Sequence, residues 1–237
     1  MSRIILVHGA WHGGWCWSQL LPRLQDAGHE VFAPDLPGHG DSTVALNKVS
    51  LNRYVSSIAA LLDDEQPTVL IGHSMGGLVI SQLAERYPEK IEKLIFVCAF
   101  LLKNGESVAA KNGSYPALLG ENMRIAEDGL SVTINPEMIR EIFYHDCDSA
   151  QAKAAEAKLV TQAAAPINTP ATLTEQGFGS VLRDGIVCLQ DKALHPDLQR
   201  QMYRDGNCER VFEIDASHSP FISMPAQLAE LIESSLN

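Results

Sequence analysis

The sequence predicts an α/β fold: a parallel sheet with helices on both faces, interrupted by a mainly helical insertion. Two observations lead there. Short apolar, β-branched runs alternate with stretches of helical periodicity at both ends of the chain, the rhythm of strand–helix–strand units. That rhythm stops after Leu102 and resumes only near residue 181.

Residues 3–7 are an apolar run that reads as the first strand, and a helix follows with Trp17, Leu20, Leu21 and Leu24 on one side. Residues 30–33 read as the second strand, closed by the turn-forming run Pro34-Asp35-Leu36-Pro37-Gly38-His39-Gly40. Residues 50–64 carry Leu51, Tyr54, Ile58, Leu61 and Leu62 at helical spacing. Residues 68–71 give a third strand, and Val79, Ile80, Leu83, Ala84 and Tyr87 mark one face of the next helix. Residues 93–100 are almost continuously apolar, as suits a central strand buried on both faces.

In the insertion, residues 136–145 and 150–165 are the clearest helices, punctuated by Gly105, Gly113, Pro166 and Pro170. A strand at 185–189, a helix near 196–204, a strand at 210–214 and a helix from Ala226 complete the pattern. Neither flanking half closes a sheet alone. Residues 1–102 and 181–237 are therefore expected to form one core, with 103–180 as a lid.

Composition narrows the function classes. Hydrophobic residues at 46% and charged residues at 20% exclude a disordered chain. Eighteen basic against 29 acidic residues give a net charge of −11, which argues against nucleic acid or an anionic membrane as the main partner. No window approaches the ~18 apolar residues of a membrane span, and the N-terminus lacks a signal-peptide pattern. Cys16, Cys98, Cys147, Cys188 and Cys208 are odd in number and lack a C-x-x-C pair. Free thiols in a reducing cytoplasm, and no metal site, are the expectation.

The chemistry centres on Val69-Leu-Ile-Gly-His-Ser-Met-Gly-Gly77. Gly72, Ser74 and Gly76 fit G-x-S-x-G, in which a strand turns sharply into a helix and exposes the serine hydroxyl. A glycine-rich turn with an idle serine is the plain alternative. A serine nucleophile needs a base and an orienting acid. Of the eight histidines, His218 alone follows the last strand, in a loop expected at the C-terminal sheet edge, where binding groups gather. Asp191 ends the preceding strand on that same edge and is the preferred acid, although an Asp after a strand also serves as a helix cap. Asp215 is the runner-up, and Asp184 precedes its strand on the opposite edge.

The developing oxyanion requires prearranged donors. The Met75 N–H follows the nucleophile directly, and the Ala10 N–H lies in the loop His8-Gly-Ala-Trp-His-Gly-Gly14 after the first strand. That loop lacks G-x-G-x-x-G, so dinucleotide binding is disfavoured and no cofactor is expected. Trp11, Phe100, Leu101, Tyr115, Phe143 and Phe178 are candidate pocket walls, for each of which plain core packing is an equal alternative.

These residues resemble the α/β-hydrolases, specifically the group of plant methyl esterases, plant hydroxynitrile lyases and bacterial pyrethroid-type esterases. The carriers are Leu6-Val-His-Gly-Ala-Trp-His-Gly-Gly-Trp-Cys-Trp17, Asp35-Leu-Pro-Gly-His-Gly-Asp-Ser42, Gly72-His-Ser-Met-Gly-Gly77, Leu189-Gln-Asp-Lys192 and Ser217-His-Ser-Pro220. The resemblance implies a sheet of about six parallel strands, a Ser74–Asp191–His218 triad, and oxyanion donors at Ala10 and Met75. Lyases of that group carry Thr or Asn where this chain has Gly9, and one type has Lys where it has Ser219. These two residues, which border the expected substrate site, favour a carboxylesterase acting on small to medium apolar esters. A cyanohydrin lyase, or a homologue that binds without turnover, is the alternative. Oligomeric state stays open, though relatives of this kind are often homodimers.

Overall fold

The computed structural model describes residues 1–237. Six strands form one sheet: β1 (Arg3–Val7), β2 (Glu30–Phe32), β3 (Thr68–His73), β4 (Ile91–Val97), and after the insertion β8 (Arg183–Cys188) and β9 (Val211–Ile214). Their spatial order is β2-β1-β3-β4-β8-β9, and every pairing is parallel. The chain runs outward from β1 to β2, then crosses to β3 on the other side of β1. The β1/β3 boundary is therefore the point where strand order reverses, which is where open parallel sheets form a crevice at their C-terminal ends. All residues of β3 and β8 are buried, Arg183 and Asp184 among them, and β4 is buried from Leu94 to Val97.

Helices α1 (Leu21–Asp26), α2 (Leu51–Ala59) and α3 (Gly76–Arg86) belong to the first half of the core. The Ser50 hydroxyl caps α2 by accepting the Arg53 N–H, and α3 is buried from Gly76 to Ala84. Helices α9 (Pro196–Asp205), α10 (Pro220–Ser223) and α11 (Pro225–Leu236) belong to the second half. At the N-terminal edge of β8, buried Asp184 pairs with Lys93 and Arg210 and accepts the Ser235 hydroxyl, an ion network that ties α11 to the sheet.

Between β4 and β8 the expected mainly helical insertion is instead five short helices joined by longer irregular stretches: α4 (Val108–Asn112), α5 (Leu118–Asn122), α6 (Ile139–Phe143), α7 (Ser149–Glu156) and α8 (Ala164–Asn168). It also builds a small antiparallel sheet of β5 (Met123–Ile125), β6 (Ser131–Ile134) and β7 (Gln162–Ala163), which periodicity did not reveal. The single helix expected over 150–165 is broken. Helix α7 starts at a capping box of Asp148 and Gln151 but stops at Glu156; Val160 and Thr161 lie outside any element, and Gln162 begins β7. Val160 and Thr161 are β-branched and weak helix formers, and the Val160 N–H donates to the Trp11 carbonyl at 2.9 Å instead. No helix is long and apolar enough to cross a membrane. All five cysteines are free thiols, four of them buried.

Candidate active site

Ser74 sits between β3 and α3 with φ of 52°, in the left-handed region that an L-residue occupies only under local constraint. The constraint is close packing. A Cβ on Gly76 would stand 2.5 Å from the Val7 carbonyl oxygen, so α3 begins hard against the end of β1, and only glycine fits. The Phe100 N–H donates to the Ser74 carbonyl at 3.0 Å and braces the turn from β4's side.

His218 follows β9, and its Nδ1 lies 2.7 Å from Asp191 Oδ2, with both side chains buried. Asp191 Oδ1 accepts the N–H groups of Ala193 and Leu194 at 2.7 and 2.8 Å, and Oδ2 also accepts Gln199 Nε2 at 2.9 Å. The turn-capping job and the histidine contact thus coexist, one on each oxygen. Of the other candidate acids, Asp184 is committed to the ion network and Asp215 to Gln190 Nε2. With Nδ1 engaged, Nε2 is the His218 nitrogen available for proton transfer.

A set of buried histidines holds the loops in place. Burial, with the neighbouring His39, pushes His8 well below its usual range, and burial with His218 does the same to His73. Burial lowers His12 to about 3 and also lowers His39. All four are therefore neutral near pH 7, and their partners fix the tautomers. His8 Nδ1–H donates to the Gly9 carbonyl at 2.8 Å while Nε2 accepts the Leu36 N–H at 3.0 Å. His12 Nδ1–H donates to the Ala10 carbonyl at 2.8 Å, and Nε2 accepts the Tyr144 hydroxyl at 2.7 Å. His73 Nε2–H donates to the His218 carbonyl at 2.9 Å. Sequence reasoning gave His12 a part in ordering the first loop and left His8 and His73 without roles, because their signal is tertiary.

Ligating atoms of His73, Cys98 and His218 lie within 4.8 Å of one another. A metal takes cysteine as the thiolate, and burial pushes the Cys98 thiol well up, away from that form. The set does not fit a cation.

The N–H groups of Ala10 and Met75 donate to no protein acceptor, and both residues line a small cavity with Ser74. Gly9 packs so closely that a Cβ there would stand 2.7 Å from Ser74 Cβ. The cavity holds about 40 Å³, and nine of its eleven lining residues are hydrophobic, Trp11 and Phe100 among them. Phe143 stands behind this wall, its ring 6.0 Å from Trp11 and 5.6 Å from His218.

Three expected wall residues belong elsewhere. Leu101 packs beneath Gly206, Tyr115 lies against His195 at 5.1 Å, and Phe178 stacks under the Arg183 guanidinium at 4.1 Å. The chain direction after β4 and in the insertion turns them from the cavity. Ser219 is fully buried, directly precedes α10, and does not line the cavity either. Residues that sequence reasoning missed on the insertion side are Val108, Ala109, Asn112, Leu119, Met123 and Ile167. Gln162 was missed as well: its Oε1 accepts the Trp11 N–H at 3.4 Å and His39 Nε2 at 2.9 Å, and its Nε2 donates to the Tyr54 hydroxyl at 3.2 Å.

The model of the alpha/beta hydrolase family matches residues 4–231. Pyrethroid hydrolase of Sphingobium wenxiniae is 34% identical over 244 residues, covering 98% of this chain and 86% of that protein. Methylesterase 7 of Arabidopsis thaliana is 30% identical over 249 residues, covering 98% and 95%. Putative methylesterase 11 of the same plant, a chloroplastic protein, is 29% identical, and the chain spans 63% of its length. Among solved structures, a pyrethroid hydrolase from Sphingobium faniae JZ-2 superposes with a TM-score of 0.87 at 31% identity, covering 98% of this chain and 96% of that one. Tomato methylketone synthase I superposes with a TM-score of 0.88 at 27% identity, covering 100% and 98%. A family match over nearly the whole length, on the same six-stranded parallel sheet, places this chain in the alpha/beta hydrolase family.

Proposed function

We propose that the protein is a cofactor-independent carboxylic-ester hydrolase working through an acyl-enzyme on Ser74. The observation that carries this reading is the 2.7 Å contact between His218 Nδ1 and Asp191 Oδ2, set beside a strained serine turn with two unpaired N–H groups. His218 Nε2 takes the Ser74 proton as Oγ attacks the ester carbonyl, and the Ala10 and Met75 N–H groups hold the oxyanion. His218 then protonates the leaving alcohol and afterwards draws a proton from the water that releases the acid. Asp191 keeps Nδ1 protonated and balances the imidazolium that forms at each step.

The apolar cavity suits small to medium apolar acyl or alcohol groups. Its present volume is far below the roughly 300–1,000 Å³ of ordinary ligand pockets, so 103–180 acts as a lid that opens to admit substrate. Gly9 favours hydrolysis over cyanohydrin cleavage: a Thr or Asn side chain at that position would press on the nucleophile.

Turnover of a short-chain p-nitrophenyl ester tests the reading. Ser74→Ala and His218→Ala should each lower kcat by up to roughly 10⁶, and Ser74→Ala should also abolish labelling by a fluorophosphonate. A Ser74→Ala protein with most of its activity would sink the proposal.

A further inference from the structure

The cavity beside Ser74 contains one polar side chain besides the nucleophile. Asn112, the last residue of α4, lines it opposite a wall that is otherwise apolar, on the same helix face as Val108 and Ala109. Asn112 is only 5% exposed, yet its Oδ1 has no hydrogen-bond partner. Its amide nitrogen faces α5, where a Cβ on Gly120 would lie 3.7 Å away. An orphaned buried acceptor is costly and uncommon in folded proteins, and it calls for a partner that arrives from outside the chain. A leucine would have filled the space at no such cost.

We propose that Asn112 is a specificity-determining residue that accepts a hydrogen bond from a hydroxyl group carried on the substrate's apolar portion. The inference rests on the esterase reading for its chemistry and on Asn112 alone for its selectivity. The preferred substrates are then hydroxylated apolar esters rather than plain hydrocarbon ones. Ser74 and the two N–H donors engage the ester group, while Asn112 reads a donor elsewhere on the molecule. A site with a polar group aimed at a substrate hydroxyl rejects the analogue lacking it far more strongly than an apolar pocket separates homologues.

Methyl hexanoate, methyl 3-hydroxyhexanoate and methyl 6-hydroxyhexanoate provide the test, because they differ in whether and where a hydroxyl stands. One arm measures kcat/KM for all three esters in the wild type, Asn112→Leu and Asn112→Ala. The ratio of the better hydroxy ester to methyl hexanoate should fall about tenfold in both variants. A second arm measures binding of the same esters to Ser74→Ala and to Ser74→Ala/Asn112→Leu by calorimetry. Tighter binding of a hydroxy ester that disappears with Asn112 supports the proposal even if no ester is turned over, a result that would count against the esterase reading alone. Ratios unchanged within about twofold in both arms would overturn the Asn112 assignment and leave ester hydrolysis standing.

Discussion

His8 Nδ1 lies 2.8 Å from the Gly9 carbonyl oxygen, and the peptide it grips is the one whose other end is the Ala10 N–H. In a trans peptide the two groups point in opposite directions, so a ring holding the carbonyl on one side aims the N–H on the other. The ring is itself held through Nε2 by the Leu36 N–H, from the loop after β2. His8→Ala should therefore lower kcat by about 10²–10³, the usual worth of one oxyanion donor, with KM changed far less. Stability should fall by about 1–3 kcal/mol, because the buried Leu36 N–H loses its acceptor. Steady-state kinetics with a chemical melt checks both, and a wild-type kcat in a folded variant would refute the link.

Asp191 meets four donors with two oxygens, so its replacement by Asn is more disruptive to proton traffic than to packing. If the amide oxygen keeps the Ala193 and Leu194 N–H groups, its NH₂ faces His218 Nδ1 and the Gln199 side-chain amide. Gln199 has no freedom to flip: its Oε1 accepts the Cys188 N–H and its Nε2 also donates to the Leu194 carbonyl. His218 is then driven to the tautomer with hydrogen on Nε2, which cannot accept the serine proton. Asp191→Asn should lower kcat by roughly 10⁴ while the fold is retained. Retention of more than about a tenth of the activity would remove Asp191 from the proposed triad.

The buried histidines predict acid lability with a definite sign. Folded His12 has its pKa lowered from 6.5 to about 3, and His8, His39 and His73 shift in the same direction, chiefly through burial. Below pH 6.5 the unfolded chain takes up protons that the folded chain refuses. Stability is therefore complete above that pH and is lost as pH falls toward 3. Each histidine contributes about 1.4 kcal/mol per pH unit within its window. Urea midpoints should drop steeply as pH falls from about 6.5 to about 4.5, and His12→Asn should flatten the slope. A midpoint independent of pH over that interval would contradict buried neutral histidines.

The core of the fold was legible because its signals are local. Six apolar runs marked the six strands to within a few residues, and G-x-S-x-G marked Ser74, since the close approach of α3 to β1 demands glycine at position 76. Chain order along one sheet edge was enough to nominate Asp191 and His218. The cavity wall was not legible. Phe100 and Leu101 are adjacent and equally apolar, yet only Phe100 lines the cavity, a distinction made by the backbone after β4. Residues 103–180 show the same limit. Their Ala-rich stretch has high intrinsic helix propensity, but buried polar contacts made by Gln162 outweigh it and pull the chain into β7.

Gln162 also joins that segment to the proposed oxyanion loop, and its removal should show how tightly the two are coupled. One oxygen accepts from the Trp11 backbone and from His39, while the amide nitrogen reaches Tyr54 on α2 and the Ala163 carbonyl. Trp11 is held in the left-handed region at φ of 62°, and it is pinned further by the Val160 N–H and by its own indole on the Val132 carbonyl at 2.9 Å. Gln162→Leu keeps a similar volume but leaves the Trp11 and His39 donors buried without an acceptor, at about 1–3 kcal/mol each. The Trp11 backbone should then relax toward ordinary φ, shifting the neighbouring Ala10 peptide, so kcat should fall by about tenfold or more along with stability. Gln162→Glu, held protonated by burial so that its hydroxyl still faces the Ala163 carbonyl, restores an acceptor for both donors and should recover most of kcat. Loss of stability in Gln162→Leu with kcat intact would instead confine Gln162 to holding β7 in place.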